Sequence, residues 1–382
     1  MNVSVLTATI DVAALATREL IAAAAVLIAV VGIDDLIVDV LYFVRRFWRS
    51  AFIYSRHQRV SADMLSPPEI PGAMAVLIPA WDESAVIADM LKGALRRIDH
   101  PQCRLFVGIY PNDSYTVAAV RRIADPRVIP VITGRDGPTT KADCLNHLWD
   151  ALQAEEAATG TRFKAIVLHD AEDVVHSMEL RIFDSLIERF DMVQLPVLPL
   201  VDPRSRWIAG HYLDEFAESH GKDLVVREAL GASVPSAGVG CAIERDMMDR
   251  IARLNGGRPF DEASVTEDYE LGLKIGGLGG RGVLVRMPGS SGHIIATREH
   301  FPATLETAVR QKTRWLTGIA LHGWDRMGWR GGIAERWMRL RDRKSIVAAL
   351  ATMFAYLGAM GFGLVALVSQ RWPDMAIPQI VT

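Results

Sequence analysis

The chain has 382 residues, half of them hydrophobic, with a formal net charge of −3 and a mean hydropathy of +0.17. This length suffices for one large domain or two ordinary ones, and so small a net charge excludes nucleic acid as a partner held by bulk electrostatic attraction. The three cysteines, Cys103, Cys144 and Cys241, form neither a disulfide framework nor a metal-ligand spacing, which fits a reducing compartment.

Two apolar segments predict membrane-spanning helices, one near each end of the chain. Residues 346–368 carry no charge and are long enough to cross a bilayer. Residues 20–44 are long enough too, although Asp34, Asp35 and Asp39 interrupt them. Acids within a membrane segment are candidates for function, and the alternative is that they pair with nearby arginines or with a neighbouring helix. A cleaved signal peptide is not expected, because the segment lacks a basic N-terminal region and a small-residue cleavage site.

Each apolar segment is flanked by a basic cluster on the side that faces the middle of the chain. The clusters consist of Arg45, Arg46, Arg49, Arg56 and Arg59, with aromatic residues among them, and of Arg336, Arg339, Arg341, Arg343 and Lys344. Basic residues mixed with aromatics suit a lipid headgroup region, and the alternative is a solvated loop. Because positive charge is retained on the cytoplasmic side, the region between the clusters is expected in the cytoplasm and both termini across the membrane.

Strands and helices alternate in the first part of the central region. Short apolar runs predict buried strands at residues 74–79, 105–110, 128–132 and 163–168. Helical patterns follow at 84–97 and from Lys141. This order predicts an α/β fold with a parallel, doubly wound sheet, in which ligands bind beyond the carboxyl ends of the strands. Polar residues fall at three such ends, at 82–83, 112–113 and 169–173.

Two further segments follow in the chain. Residues 205–230 predict a long helical stretch, and the small residues 236–240 then lead into Cys241. The lack of bulk at 236–240 would let the backbone approach a ligand, and a plain turn is equally consistent with this composition.

An acidic segment directly follows the strand at 163–168. Asp170, Glu172 and Asp173 lie there within four residues, and their spacing can direct several carboxylates into one cavity. Hard divalent cations such as Mg²⁺ or Mn²⁺ prefer carboxylate oxygens and bridge to phosphates. The alternative is the N-terminus of a helix, where the dipole favours acids in any case.

A second carboxylate pair opens a later helix. The segment Ser264-Val-Thr-Glu267 fits a capping box, which places Asp268 in the first helical turn. Asp268 is a candidate general base, provided that it reaches an acceptor hydroxyl. The alternative is that it only complements the helix dipole.

Two basic residues are candidates for contacting phosphate. Lys141 opens a predicted helix after a glycine-containing loop, and Arg314 can neutralise a diphosphate. Gln311, Arg314 and Trp315 share one helix face, and the flat ring of Trp315 is of the kind on which sugars stack. The alternative is an interfacial amphipathic helix with a buried tryptophan.

Taken in chain order, these motifs resemble the processive family 2 glycosyltransferases, which include cellulose and hyaluronan synthases. The resemblance covers roughly residues 74–320 and the flanking apolar segments. It is carried by Leu77-Ile-Pro-Ala-Trp-Asp-Glu83, Asp113, Lys141-Ala-Asp-Cys-Leu-Asn146, Asp170-Ala-Glu172, Thr266-Glu-Asp268 and Gln311-Lys-Thr-Arg-Trp315. The forms His169-Asp-Ala-Glu-Asp173 and Tyr110-Pro-Asn-Asp113 resemble those of the phage N4 adsorption protein B group.

This resemblance implies a GT-A fold, which is Rossmann-like with a mostly parallel sheet, flanked here by transmembrane helices. It implies that the donor nucleotide is bound by Asp113, Lys141 and Asp170. It also implies a metal site for Mg²⁺ or Mn²⁺ at Asp170, Glu172 and Asp173. The usual Asp-x-Asp motif reads Asp-Ala-Glu at this position, so the resemblance leaves open whether Glu172 or Asp173 binds the metal.

The same resemblance assigns the chemistry to later residues. It implies that Asp268 is the catalytic base of an inverting sugar transfer, and that Gln311, Arg314 and Trp315 serve the acceptor and the diphosphate. Five segments are then expected: a transmembrane helix within 1–45, a basic interfacial linker at 46–72, a GT-A domain at 73–300, acceptor-side and interfacial helices at 301–344, and a transmembrane helix with a tail at 345–382.

The resulting hypothesis is a multi-pass protein of the bacterial inner membrane, with a cytoplasmic catalytic domain. Its expected donor is a nucleotide sugar, with UDP-sugars as the first choice. The expected acceptor is a saccharide or a lipid-linked molecule, for exopolysaccharide or envelope glycan, with an export partner in the periplasm or outer membrane. The rival hypothesis is a non-catalytic membrane scaffold or receptor partner of an envelope secretion assembly. A third, an ion-coupled transporter that uses the three membrane acids, is weakened by the small number of spans.

Overall fold

A computed structural model of the protein describes residues 3–371. They form a helical unit, made of residues up to 44 and from 340 onwards, and an α/β unit, which covers Arg45–Arg339. The strands are β1 (Ala73–Pro79), β2 (Cys103–Ile109), β3 (Val128–Ile132), β4 (Phe163–Leu168), β5 (Met192–Gln194), β6 (Val197–Pro199), β7 (Cys241–Glu244), β8 (Gly282–Leu284) and β9 (Thr297–Glu299).

Helices connect and flank these strands. In chain order they are α1 (Val3–Trp48), α2 (Ile87–Arg97), α3 (Ser114–Arg121), α4 (Lys141–Thr159), α5 (Glu179–Leu186), α6 (Ile208–Glu218), α7 (Leu224–Ala229), α8 (Arg245–Leu254), α9 (Glu267–Gly277), α10 (Leu305–Trp315), α11 (Gly323–Met327), α12 (Ile333–Arg343) and α13 (Ser345–Arg371). Wider π-helical turns occur at Arg49–Ile53, Ser219–Asp223 and Leu316–His322.

The α/β unit is built on a seven-stranded sheet with the order β3-β2-β1-β4-β7-β5-β8. β1 pairs parallel with β2 and with β4, and β2 pairs parallel with β3. β7 runs antiparallel to both of its neighbours, β4 and β5. A small second sheet joins β6 and β9 in parallel. The carboxyl ends of β1, β2, β3 and β4 therefore meet at one edge of the main sheet.

Both faces of the main sheet are buried, which explains why its strands read as continuous apolar runs. In β1, Met74, Val76 and Ile78 face a core that α2 and α5 cover. Ala75 and Leu77 point the other way, into a core that contains side chains of α4 and α8. Sheet and helices thus form three layers, and the mostly parallel α/β fold predicted from the sequence is confirmed.

The predicted elements agree with the structure over most of the first half of this unit. The strands predicted at 74–79, 105–110, 128–132 and 163–168 are β1 to β4 within two residues at either end. α2 begins at Ile87 and not at the predicted residue 84, because a turn precedes it. The helical stretch predicted at 205–230 consists of α6 and α7 with a π-helical turn between them.

In the helical unit, α1 and α13 pack antiparallel through small residues. Gly358 lies against Ile21, where a Cβ on the glycine would come within 2.7 Å of the isoleucine side chain, and Gly361 lies against Thr17. Both helices are long and apolar enough to cross a membrane.

Ion pairs fix this packing near the start of α13. Lys344 Nζ lies 2.9 Å from Asp34 Oδ2, and Arg341 Nη2 lies 3.1 Å from Asp35 Oδ1. The crossed pairs Arg341–Asp34 and Lys344–Asp35 are also formed. Of the two alternatives for the acids in the first apolar segment, the structure shows pairing for Asp34 and Asp35.

A double-mutant cycle of Asp34→Asn and Lys344→Met tests this ion-pair cluster. Because each single variant leaves a partly buried charge with fewer partners, we expect a coupling energy of about 0.5–3 kcal/mol in the unfolding of the detergent-solubilised protein. The exposed pair Glu306–Arg310 is the matched control, with a coupling of at most about 0.5 kcal/mol. Additive effects at Asp34 and Lys344 would show that these ion pairs do not hold the helices together.

Candidate active site

The loops that leave β1 and β2 are tied to each other by the side chain of Asp113. Asp113 is buried at the N-cap of α3, and its carboxylate accepts hydrogen bonds from the backbone N–H of Asp82 (2.7 Å) and of Thr116 (3.1 Å). Burial alone would raise the pKa of Asp113, but these bonds lower it, so the group is ionised. Asp82 adopts a left-handed conformation, with φ of 58°. The structure therefore places Asp113 at the edge of the sheet that the sequence predicted, where its side chain also holds the loop after β1.

Lys141 connects two groups of carboxylates. It is the first residue of α4, whose N-cap Thr140 accepts a hydrogen bond from the backbone of Asp143. Its Nζ lies 2.5 Å from Asp170 Oδ1. Although burial disfavours the charged ammonium, Asp170, Glu267 and Asp268 raise the pKa of Lys141, so it is a permanent cation between the loop after β4 and the start of α9.

The acidic segment after β4 is a loop and not a helix N-terminus, because α5 begins only at Glu179. His169 is buried in this loop between two carboxylates, with Nδ1 2.6 Å from Asp173 Oδ2 and Nε2 2.5 Å from Glu179 Oε1. The same Asp173 oxygen accepts a hydrogen bond from the backbone N–H of Asp170 (3.1 Å). The alternative that these acids only complement a helix dipole is therefore wrong for this segment.

Carboxylates crowd this edge of the sheet. Burial and the charges of Asp170, Glu83 and Asp173 raise the pKa of Glu172 to about 7. Burial and the charges of Asp173, Asp170 and Glu172 raise the pKa of Glu299 well above its usual value, and the pKa of Glu83 is raised by burial and by Asp170. Such mutual repulsion is what a bound cation relieves.

The residues present fit a divalent cation, although they are not preassembled around one. Asp173 Oδ1 is buried and accepts no hydrogen bond from any described residue. Within residues 3–371, however, no three side chains of His, Cys, Asp or Glu already converge in ligand geometry. Asp173 is fully buried and engaged with His169, whereas Glu172 is only half-buried among the repelling acids. The donor set of this edge is oxygen-only, which suits Mg²⁺ or Mn²⁺.

Asp268 lies in the first turn of α9, but the predicted capping box is wrong. Thr266 is the N-cap and makes no side-chain capping bond, and Ser264 Oγ donates instead to Glu270 Oε1 (2.7 Å). Arg326 Nε donates to the same Glu270 oxygen at 2.5 Å, which holds that carboxylate beside Ser264. The helix begins at Glu267, two residues later than a Ser264 N-cap implies, and Asp268 lies in its first turn as predicted.

The small-residue segment 236–240 packs against this carboxylate. Gly238 has a φ of 76°, and a Cβ there would lie 2.6 Å from Asp268 Oδ2. The bulk missing at this position thus makes room for the Asp268 side chain. Beside it, burial and the charge of Asp268 raise the pKa of Glu267 to about 7.

α10 carries three predicted site residues, Gln311, Arg314 and Trp315, which differ in exposure and in contacts. Arg314 is exposed, and it lies close enough to Glu267 for its charge to oppose part of the rise in the pKa of Glu267. Gln311 Oε1 is buried and has no hydrogen-bond partner among the described residues. Trp315 is half-buried in an aromatic cluster, with ring centroids 6.0–6.5 Å from those of Tyr212, Phe216 and Phe301.

Lys312 covers part of this tryptophan. Its Nζ lies 4.9 Å from the Trp315 ring centroid and 4.6 Å from that of Tyr212. The half-buried position agrees with the alternative of a tryptophan packed within a helix face. Directly after α10, Gly318 contacts Thr266, where a Cβ would come within 2.5 Å of the threonine side chain, so the segment is also packed onto the start of α9.

The structure thus brings most of the predicted site residues to one edge of the sheet. Lys141, Asp170, Asp268 and Arg314 are linked through contacts or mutual charge effects, and Asp113 joins them through the loop after β1. Three further residues were missed by the sequence analysis as functional candidates: His169, Glu267 and Glu299. Glu299 had no local signal, because it reaches the site from the small second sheet, far along the chain from Asp170.

Comparison with known proteins identifies the family. A family model described as "Glycosyltransferase like family 2" matches residues 71–318, well over half of the chain. The chain belongs to this glycosyltransferase family. Bacteriophage adsorption protein B of Escherichia coli K12 and bacteriophage N4 adsorption protein B of Escherichia coli O157:H7 are each 37% identical to it over 369 residues. The match covers 92% of this chain and 49% of each relative, so the chain spans about half the length of these curated relatives.

A solved structure supports the fold. The mannosyltransferase from Pyrobaculum calidifontis, determined in complex with GDP-Man and Mn²⁺, has a TM-score of 0.62 and 16% sequence identity, and the match covers 92% of both chains. At this identity the similarity concerns the fold alone. The family resemblance predicted from the motifs, including its phage N4 adsorption protein B subgroup, and the GT-A fold are confirmed.

Because the pKa of Glu267 is raised, we expect Glu267→Gln to increase the stability of the folded protein by an amount that depends on pH. The folded protein holds this proton more tightly than the unfolded chain, whose glutamates titrate near 4.5, so wild-type stability falls as pH rises from about 4.5 through about 7. The variant should therefore gain stability over wild type between pH 5 and pH 8, by on the order of 1–3 kcal/mol. Apparent unfolding temperatures across this range measure it.

The control for this prediction is Glu306→Gln, since Glu306 is largely exposed on α10. We expect it to change the unfolding temperature less than Glu267→Gln does, because an exposed glutamate is solvated in the folded and in the unfolded chain. A Glu267→Gln difference that does not vary across the pH range would contradict the raised pKa.

Proposed function

We propose that this chain is an inverting, metal-dependent membrane glycosyltransferase, which moves a sugar from a nucleotide sugar to a hydroxyl of a saccharide or lipid-linked acceptor. UDP-sugars are the first donors to test. The observation that carries the proposal is that Lys141 bridges the Asp170 loop and the Glu267–Asp268 turn at the carboxyl edge of a GT-A sheet. This edge of the sheet thereby brings together groups suited to a cation, to a diphosphate and to proton removal.

Asp170 and Glu172 are the proposed ligands of Mg²⁺ or Mn²⁺. We assign Glu172 in preference to Asp173, because the Asp173 carboxylate is engaged with His169 and with the backbone of Asp170. When bound, the cation would offset charge on the departing diphosphate. Lys141 and Arg314 would add fixed positive charge for the donor phosphates.

Asp268 is the proposed general base. The acceptor hydroxyl gives its proton to the Asp268 carboxylate while its oxygen forms a bond to the anomeric carbon. The bond from that carbon to the donor phosphate breaks, and the nucleoside diphosphate leaves with the electron pair. One base suffices because the diphosphate leaves without protonation, whereas a glycosidase would need a second carboxylate as a proton donor.

Gln311, Arg314 and Trp315 are the proposed acceptor-side and diphosphate contacts, and Asp113 is proposed to contact the nucleobase. The orphaned Oε1 of Gln311 is a buried acceptor that suits a sugar hydroxyl. Trp315 is held by its aromatic neighbours and by Lys312, so only part of its ring is left for an acceptor sugar.

A membrane location is proposed from α1 and α13, which are long and apolar enough to span a bilayer. The basic clusters that flank them support a cytoplasmic position for the α/β unit at the inner membrane. The Escherichia coli relatives are named for bacteriophage adsorption, which supports a place in the cell envelope. A role in exopolysaccharide or envelope glycan synthesis, with an export partner, and the division into five segments belong to this proposal.

Asp268→Asn tests the catalytic assignment. The amide has nearly the same shape but accepts no proton, so we expect kcat to fall by about 10²–10⁴ with radiolabelled UDP-sugars, while UDP affinity in the presence of Mn²⁺ changes little. An unchanged kcat would remove Asp268 from the mechanism. If wild type binds no nucleotide, or binds it without turnover of any tested donor, the non-catalytic scaffold becomes the better hypothesis.

Gly238→Ala tests whether the backbone of 236–240 positions the base. The added methyl group would meet Asp268, so we expect kcat to fall at least about tenfold with donor KM little changed. Gly231→Ala is the matched control, because Gly231 has a similar positive φ of 73° but nothing within 4 Å of the added Cβ. Both variants carry the same backbone strain, so equal losses of activity would contradict a specific effect on Asp268.

A further inference from the structure

His169 is the first residue of the acidic loop, and its side chain is buried where no substrate reaches it. It is 1% exposed, and the side chains of its two partners, Asp173 and Glu179, are fully buried. An imidazole that faces an ionised carboxylate at each ring nitrogen donates from both, which is the hydrogen-bonding pattern of the imidazolium, and Asp173 and Glu179 flank His169 in this way. The residue is therefore a buried cation.

This cation joins three segments of the α/β unit. Through Asp173 it holds the loop after β4, because the same Asp173 oxygen accepts the backbone N–H of Asp170. Through Glu179 it holds the start of α5, and the other Glu179 oxygen accepts a hydrogen bond from Thr297 Oγ1 (3.3 Å) on β9. β9 in turn carries Glu299 into the acidic group.

The Asp170 side chain depends on this arrangement. Its backbone is fixed by Asp173, and its Oδ1 is directed to Lys141 at 2.5 Å. Without the imidazolium, two fully buried carboxylates would add uncompensated negative charge beside Asp170, Glu172 and Glu299, and Asp173 would be released from its position. The acidic loop would then repel itself and lose its anchor at the same time.

We propose that His169 is a positioning residue, which sets the geometry of Asp170 and Glu172 for a divalent cation and its nucleotide without touching either. This inference rests on the proposed function, because it assumes that the acidic loop binds a metal–nucleotide complex. It differs from a general stabilising role in one respect: the loss should appear mainly in metal affinity. Outer partners of metal ligands typically change metal affinity by about 10–100-fold when altered.

Substituting His169 by Asn or by Gln tests its two hydrogen bonds one at a time, because each amide replaces one ring nitrogen. The amide of His169→Asn lies near the position of Nδ1 and can still donate to Asp173, whereas that of His169→Gln reaches toward the Nε2 position and Glu179. If the link to Asp173 and Asp170 is the important one, the Gln variant should lose more metal affinity than the Asn variant. A purely structural role predicts no such order.

The experiment is calorimetric titration of the full detergent-solubilised chain with UDP, at increasing Mn²⁺ and without metal. We expect His169→Gln to require about 10–100-fold more Mn²⁺ than wild type for half-maximal enhancement of UDP binding, with metal-free UDP affinity within about twofold. His169→Asn should fall between the two. In turnover assays, saturating Mn²⁺ should recover most of kcat for both variants.

His100→Gln is the matched control. His100 is also buried against a carboxylate, with Nε2 3.2 Å from Asp184 Oδ2, but it precedes β2 and so lies at the amino end of the sheet. It should lower thermal stability without changing the Mn²⁺ requirement. Should both His169 variants fail to fold, Glu179→Gln keeps the His169–Asp173 contact and should raise the Mn²⁺ requirement by a smaller factor.

The outcomes separate the two proposals. If wild-type UDP binding does not respond to metal, the proposed function and this inference fall together. If wild type responds and His169→Gln, or Glu179→Gln in its place, has the same Mn²⁺ requirement, only the role of His169 is overturned. An equal shift in His100→Gln would likewise reduce His169 to a stabilising residue.

Discussion

Repulsion between carboxylates at one edge of the sheet is the constraint on which the rest of the site depends. Asp170 lies close enough to Glu172 and to Glu299 for its charge to raise the pKa of both. Lys141 offsets part of that charge by direct contact with Asp170, and His169 does so through the buried carboxylate of Asp173. The excess of carboxylates over cations supports the proposed divalent-cation site, because oxygen ligands suit Mg²⁺ or Mn²⁺.

The fold produces this crowding through its connections. Parallel strands β1 to β4 deliver their following loops to one edge, so three acidic loops meet there without long excursions of the chain. The antiparallel strand β7 then reverses direction beside β4, which places the preceding segment 236–240 next to the start of α9. A glycine at 238 lets backbone and carboxylate approach closely, and Gly318 lets the turn after α10 rest on Thr266. Small residues thus set the distance between the proposed base and the proposed acceptor segment.

The helical unit also contains carboxylates that are stabilised by cationic partners. Asp34 and Asp35 interrupt an apolar segment and would be unfavourable in lipid without partners, and Arg341 and Lys344 supply them. Glycines on α13 allow the two helices to approach closely enough for these pairs to form. Asp34 and Asp35, two of the three acids that suggested an ion pathway, therefore have a structural explanation, which weakens the transporter hypothesis.

The sequence by itself determined the α/β class, the first four strands, the two apolar helices and the family, because each is encoded in local periodicity or in residues adjacent along the chain. It also indicated Lys141, Asp170 and Asp268, since short motifs mark the places where strands end and helices begin. Only the tertiary structure decided that Ser264 bonds Glu270 in place of a capping box, that Asp173 is turned inward to His169, and that Glu299 joins the site from β9. These outcomes depend on contacts between residues distant in the chain, and on which of two neighbouring carboxylates is buried, and no local pattern carries that information.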